Sequence, residues 1–243
     1  MNGEFDHQSV KLISYTQSAA AEEFDMNLQD LVAYCARVSN PANQNNTETA
    51  EKLVRYLIKH KHWSPLEMVS ATLEINTTRD IARQILRHRS FSFQEFSQRY
   101  ADPTKELSFT TRPARMQDKK NRQNSIPITP LDGDLGLEIY DEWNYRQNEI
   151  IQLVRKHYDW AIHYGIAKEQ ARAILPEGCT MSRLYMAGTL RSFVHFIDVR
   201  SGNGTQAECK DVAIKCAVAL MPIFPMIEEF VQMQAPEGQG DSK

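Results

Sequence analysis

Between Thr49 and Asn76 the spacing of apolar residues changes period, and this switch most constrains the fold. From Thr49 to Lys61, residues Ala50, Leu53, Val54, Leu57 and Ile58 lie three and four apart, the pattern of one buried helix face. After a Ser64-Pro65 turn, Val69, Ala71, Leu73 and Ile75 alternate with Ser70, Thr72, Glu74 and Asn76, so a strand with one wet face follows directly. Another helix begins near Arg79. The expected fold class is α+β, a small, mainly antiparallel sheet packed with several long helices in one domain spanning residues 1–243.

The remaining elements follow the same logic. Val10 to Tyr15 reads as a strand and Leu28 to Arg37 as a helix ending near Pro41. From 101 to 136 the apolar period disappears among Pro103, Pro113, Pro127 and Pro130, which predicts a long loop. Helices are expected over Glu138 to Tyr164, closed by Gly165, over Lys168 to Leu175, stopped by Pro176, and over Thr189 to Arg200. A last helix, Thr205 to about Phe230, would open on a capping box, Thr205-x-x-Glu208. The strands are expected early in the chain.

Lys plus Arg number 28 and Asp plus Glu 31, a net charge of −3 that argues against a protein coating nucleic acid or anionic membrane. No apolar run reaches the roughly 18 residues of a membrane span, and the opening MNGEFDHQ is too polar for a signal peptide, so the expected location is cytoplasmic. Cys35, Cys179, Cys209 and Cys216 form no C-x-x-C pair and are expected to be free, packed thiols.

Chemistry concentrates in Arg83 to Tyr100, RQILRHRSFSFQEFSQRY. On a helical wheel Ile81, Ala82, Ile85 and Leu86 form one face, with Gln84, Arg87 and His88 opposite. Arg89 falls among the apolar residues, so either the helix stops first or the guanidinium is buried against an acceptor. Arg83, Arg87, Arg89 and Arg99 carry planar donor forks suited to phosphates and ring carbonyls. A solvated helix face is the bland alternative. Glu169 with Arg172 at i,i+3 reads, taken alone, first as a surface ion pair, and Arg191, His195 and Asp198 share one side of a helix ending at Arg200. A metal-dependent hydrolase on His60, His62, Glu67 and His88, or a nucleic-acid module using Arg83 to Tyr100 with its interleaved aromatics and Lys119, Lys120 and Arg122, are the competing readings.

Arg87-His88-Arg89, seven residues, then Ser97, resembles the signature of the flavin-dependent thymidylate synthases. Ala36-Arg37-Val38-Ser39, His60 to Glu67, Ala171 to Pro176, and Leu190 through Arg200 to Gln206 are similar to further family segments, in family order. Met68, Gln94, His195 and Gly204 depart from residues common among relatives.

The resemblance implies reductive methylation of dUMP to dTMP, with FAD as cofactor and with NADPH and 5,10-methylenetetrahydrofolate as co-substrates. It also implies a homotetramer with shared active sites and no metal. The implied dUMP contacts are Gln84, Ile85, Leu86, Arg87, Glu95, Phe96, Ser97, Gln98, Arg99, Arg172 and Arg200, with Arg200 catalytic through ionisation of the uracil ring. The implied FAD contacts are Ser64, Arg87, His88, Arg89, Glu95, Thr189, Arg191 and His195, while His62 matches a folate and gating position. The residues suit such chemistry: fixed guanidiniums stabilise a ring anion, and no cysteine lies in the arginine segment to attack the ring. No G-x-G-x-x-G follows a strand, so a flavin would be held without a dinucleotide-binding βαβ unit.

Overall fold

The computed structural model describes residues 5–19, 26–128 and 133–232. Its sheet has four strands in the order β1-β2-β6-β3, every neighbouring pair antiparallel. These are β1 (Ser9–Tyr15), β2 (Ser70–Thr78), β3 (Ser92–Glu95) and β6 (Met181–Thr189). The alternation in β2 is realised, with Ala71, Leu73 and Ile75 buried on the face that meets the helices. The amphipathic segment forms α2 (Ala50–Lys59), which buries Val54 and Leu57, and α1 (Leu28–Ala36) packs beside it. Asn27 accepts from the Gln29 and Asp30 amides, and Asp30 returns the bond to the Asn27 amide. That reciprocal cap fixes where α1 starts.

Two strands run without a loop into helices. β2 continues into α3 (Arg79–Ile85), and β6 into α7 (Leu190–Ser201). Thr78 and Thr189 stand at the two junctions, both with extended backbone, and each hydroxyl bonds locally, to the Asp80 carboxylate and from the Ser192 amide. Because Ser70 pairs with Thr189 and Thr78 with Met181, the helices leave from opposite ends of the sheet. The ends of α3 and α7 meet over the sheet, and this meeting builds the site.

The core joins the sheet to α3, α7 and α8 (Ala207–Leu220). Phe193, Phe196, Leu184, Met186 and Leu73 are fully buried there. Gly188 is required by close approach, since a Cβ would stand 2.4 Å from the Phe91 ring. A smaller cluster of Tyr158, Ala161, Ala171 and Leu175 seats α5 (Gly133–His163) on α6 (Lys168–Ala171). Gly165, at φ +78, ends that stretch with Ile166 N–H bonded to Ala161 O, the expected left-handed stop.

Several sequence expectations are corrected. The strands are not all early: β6 is central, yet its sequence MSRLYMAGT alternates too briefly and uses too few β-branched residues to announce itself. The segment from 101 to 128 is not structureless. It holds α4 (Pro103–Glu106) and a hairpin of β4 (Arg115–Gln117) and β5 (Ser125–Pro127), turned by the Asp118 carboxylate on the Lys120 and Asn121 amides. The helix placed at Glu138 begins five residues earlier, at Gly133. The last helix ends at Leu220, because Pro222 and Pro225 cannot donate to a continuing ladder, and Pro225–Phe230 forms a separate 3-10 turn. The capping box does not form: Thr205 bonds to Val199 O, and the Glu208 carboxylate is buried 3.9 Å from Arg112.

Candidate active site

α3 ends at Ile85, two residues before Arg87, so Arg87, His88 and Arg89 lie on the turn that follows. The helix therefore stops before Arg89, whose side chain is exposed, and the alternative of a buried guanidinium falls away. Ile81, Ala82 and Ile85 are fully buried as the wheel requires, so Ile85 can offer a ligand only its backbone.

Arg200, in the last turn of α7, meets this turn. Its Nε donates to His88 Nε2 at 2.8 Å and its Nη2 to the Gln84 carbonyl at 3.5 Å. Accepting that bond places the proton of the neutral His88 ring on Nδ1. Burial pushes the His88 pKa down to about 4, helped by the neighbouring charges of Arg200, His195 and Arg87. The neutral ring thus holds Arg200 without competing for its charge. Phe196 fixes the ring edge-on at 5.0 Å. A pH effect follows with a definite sign. Between pH 6.5 and about 4 the unfolded chain binds a proton at this histidine that the folded chain refuses, so stability falls as pH drops through that window. Thermal midpoints of wild type should fall more steeply there than those of His88→Gln; equal slopes would contradict this account.

A cleft of about 700 Å³ opens beside this turn, walled by Trp63, Glu67, Ser90, Arg191, His195 and Phe230 among others. Arg191 is ion-paired with Glu67, and Thr189 caps α7 at its edge. Ser64 begins the 3-10 turn that carries Glu67, and His62 is exposed just before it, edge-on to Tyr56 at 6.4 Å. Among the described residues Arg87 and Arg89 have no ion pair, whereas Arg83 is held by Glu177 at 3.0 Å. Trp63 and Phe230 suit a planar ring system, and Arg87 and Arg89, uncommitted on the turn that leads into Ser90 of the cleft wall, carry the donor forks that would hold a pyrophosphate, so the residues present fit a flavin dinucleotide.

The other expected contacts form a second group. Glu95 accepts from Ser182 at 2.9 Å and lies 3.5 Å from Arg79, a nearly buried arginine that sequence patterning did not single out. Arg99 pairs with Glu169 at 3.1 Å, and Arg172 Nε donates to the Glu169 carbonyl, so Glu169 joins both arginines through different oxygens. The Ser97 hydroxyl accepts from the Arg99 amide. Phe96 is half-buried, its amide bonded to Arg183 O; Leu86 is half-buried against the core; Gln98 is buried, its Nε2 lacking a partner among the described residues. No bond within the chain joins the Arg99–Arg172 group to Arg200 among the described residues. The metal reading loses its geometry: Glu67 is committed to Arg191 and His88 to Arg200.

The four cysteines are free, Cys209 and Cys216 buried and the others half-buried. Burial raises every one of their thiols, Cys209 to about 11, so none is poised as a thiolate at neutral pH.

A family model described as "Thymidylate synthase complementing protein" matches residues 12–226. The "Probable flavin-dependent thymidylate synthase" of Paramecium bursaria Chlorella virus 1 is 46% identical over 221 residues, 90% of this chain and 96% of the relative. The chain belongs to the flavin-dependent thymidylate synthase family. Within that family, the Synechocystis sp. enzyme is 44% identical over 90% of this chain and 96% of its own. In fold, the chain superposes on a UMP/dUMP methylase, PolB, from Streptomyces cacaoi with a TM-score of 0.74 at 24% identity, over 92% of this chain and 94% of that one. The single-domain α+β arrangement is thus shared with that methylase. Among the described residues no helix is long and apolar enough to cross a membrane.

Proposed function

We propose that the protein is a flavin-dependent thymidylate synthase working in the cytoplasm as a single catalytic domain. It methylates dUMP reductively to dTMP, with 5,10-methylenetetrahydrofolate as carbon donor, NADPH as reductant and FAD as cofactor. The observation that carries this reading is Arg200 held by a neutral histidine on the arginine signature turn, which runs on into Ser90 of the aromatic cleft wall. Bound flavin supplies hydride-transfer chemistry. The protein's own part is electrostatic: Arg200 stays charged, favours the ionised uracil ring and makes C5 nucleophilic without a thiol adduct. Arg87 and Arg89 hold phosphate, with Ser64, Arg191 and His195 along the cofactor cleft and His62 at its entrance.

Arg99, Arg172 and Ser97 bind the nucleotide, with Gln98 offering its unpartnered amide. Because no bond within the chain joins them to Arg200 among the described residues, the reading has the site close between copies in a homotetramer. The long helix α5 supports that assembly, for Leu135, Ile139, Trp143, Ile150, Leu153 and Trp160 are exposed along it. An absorbance spectrum of purified protein tests the reading first. Oxidised flavin bands are expected, and the reduced protein should reoxidise faster with dUMP and methylene donor present. A colourless protein that takes up neither FAD nor dUMP overturns it.

A further inference from the structure

Gln84 is gripped at both ends. Arg200 holds its backbone carbonyl, and its side-chain Nε2 donates to Gln206 Oε1 at 2.7 Å across 122 residues of sequence. The two gripping residues flank the end of α7 and one short turn, Gly202 to Thr205, whose Gly204 takes a φ of +84. Gln206 stands on a rigid base. It is the residue before α8, its carbonyl accepts from the Lys210 amide at 2.9 Å, and α8 buries Cys209, Val212, Ala213 and Cys216 in the core. Gln84 lies one residue from the end of a seven-residue helix, where a primary amide would otherwise rotate freely. With one N–H committed to Gln206, its amide presents the oxygen and the other N–H, one acceptor and one donor, in fixed order.

We propose that Gln206 is a positioning residue of the nucleotide site: it orients the Gln84 amide, and so sets affinity for dUMP without touching the reacting atoms. The proposal rests on the thymidylate synthase reading and on Gln84 as a nucleotide contact. Gln206→Met keeps the length and removes the acceptor. It is expected to raise KM for dUMP about five- to tenfold, the scale of one net hydrogen bond, with kcat within about threefold and flavin occupancy unchanged. Gln206→Asn withdraws the amide by one methylene and is the second variant, with the same expected KM rise. In a Gln84→Ala background Gln206→Met should change KM by less than about twofold, because the group it orients is gone. An unchanged KM in both single variants, or an equal rise in the Gln84→Ala background, overturns the proposal while wild-type turnover leaves the parent reading intact. Wild-type protein without dUMP-dependent turnover overturns both.

Discussion

Arg200→Ala is expected to lower kcat by about 10² to 10³ at saturating dUMP, the usual loss when one preorganised electrostatic donor is removed from a reacting centre. Flavin occupancy and thermal midpoint should move little, because Arg200 is half-buried at a helix end and its partners, His88 and Gln84, are themselves only half-buried. Arg200→Lys should recover only part of the rate. Lysine keeps the charge but lacks the planar fork that bonds His88 through Nε while Nη2 reaches Gln84. Single-turnover measurement of dTMP formation separates this loss from slow product release. Wild-type kcat in Arg200→Ala would remove the guanidinium from the mechanism.

The second large effect is on stability. Phe196 is fully buried, edge-on to His88 at 5.0 Å and 6.0 Å from the Phe91 ring. Phe196→Ala is expected to cost about 3–5 kcal/mol, transfer and cavity terms together. That is a large share of the roughly 5–15 kcal/mol that holds a typical domain folded. The midpoint of urea unfolding reads the loss directly, and Phe196→Leu should show the same sign at a smaller size. Because Phe196 also fixes the His88 ring, Phe196→Leu should weaken turnover more than its stability loss explains. A loss below about 1 kcal/mol in Phe196→Ala would mean that the core closes around the gap.

Much was legible without coordinates where a local period or a long motif carries the information. The helix at Ala50–Lys59 and the strand at Ser70–Thr78 repeat a spacing that only one backbone conformation can bury. The central strand β6 was not legible, since its register is set by β2 on one side and β3 on the other and its own nine residues alternate weakly. The hairpin at Arg115–Pro127 was hidden for a related reason: three-residue strands carry no countable period, and its turn depends on the Asp118 carboxylate. Thr205 and Glu208 matched a capping pattern that burial of Glu208 near Arg112 overrode.

The same division holds for the site. By itself the sequence determined which groups are available: the arginine signature from Arg87 to Arg99, Arg172, Arg200 and their neighbours, because guanidinium chemistry belongs to the residue wherever it is placed. The tertiary structure decided which of these charges are spent and which are free. Arg83 and Arg99 are paired with Glu177 and Glu169, Arg87 and Arg89 have no ion pair among the described residues, and Arg200 rests on an uncharged histidine. Those partners lie some 70 to 112 positions apart. Arg200 meets His88 because β2 and β6 pair antiparallel and send α3 and α7 toward each other, a geometry set by sheet register rather than by any local pattern.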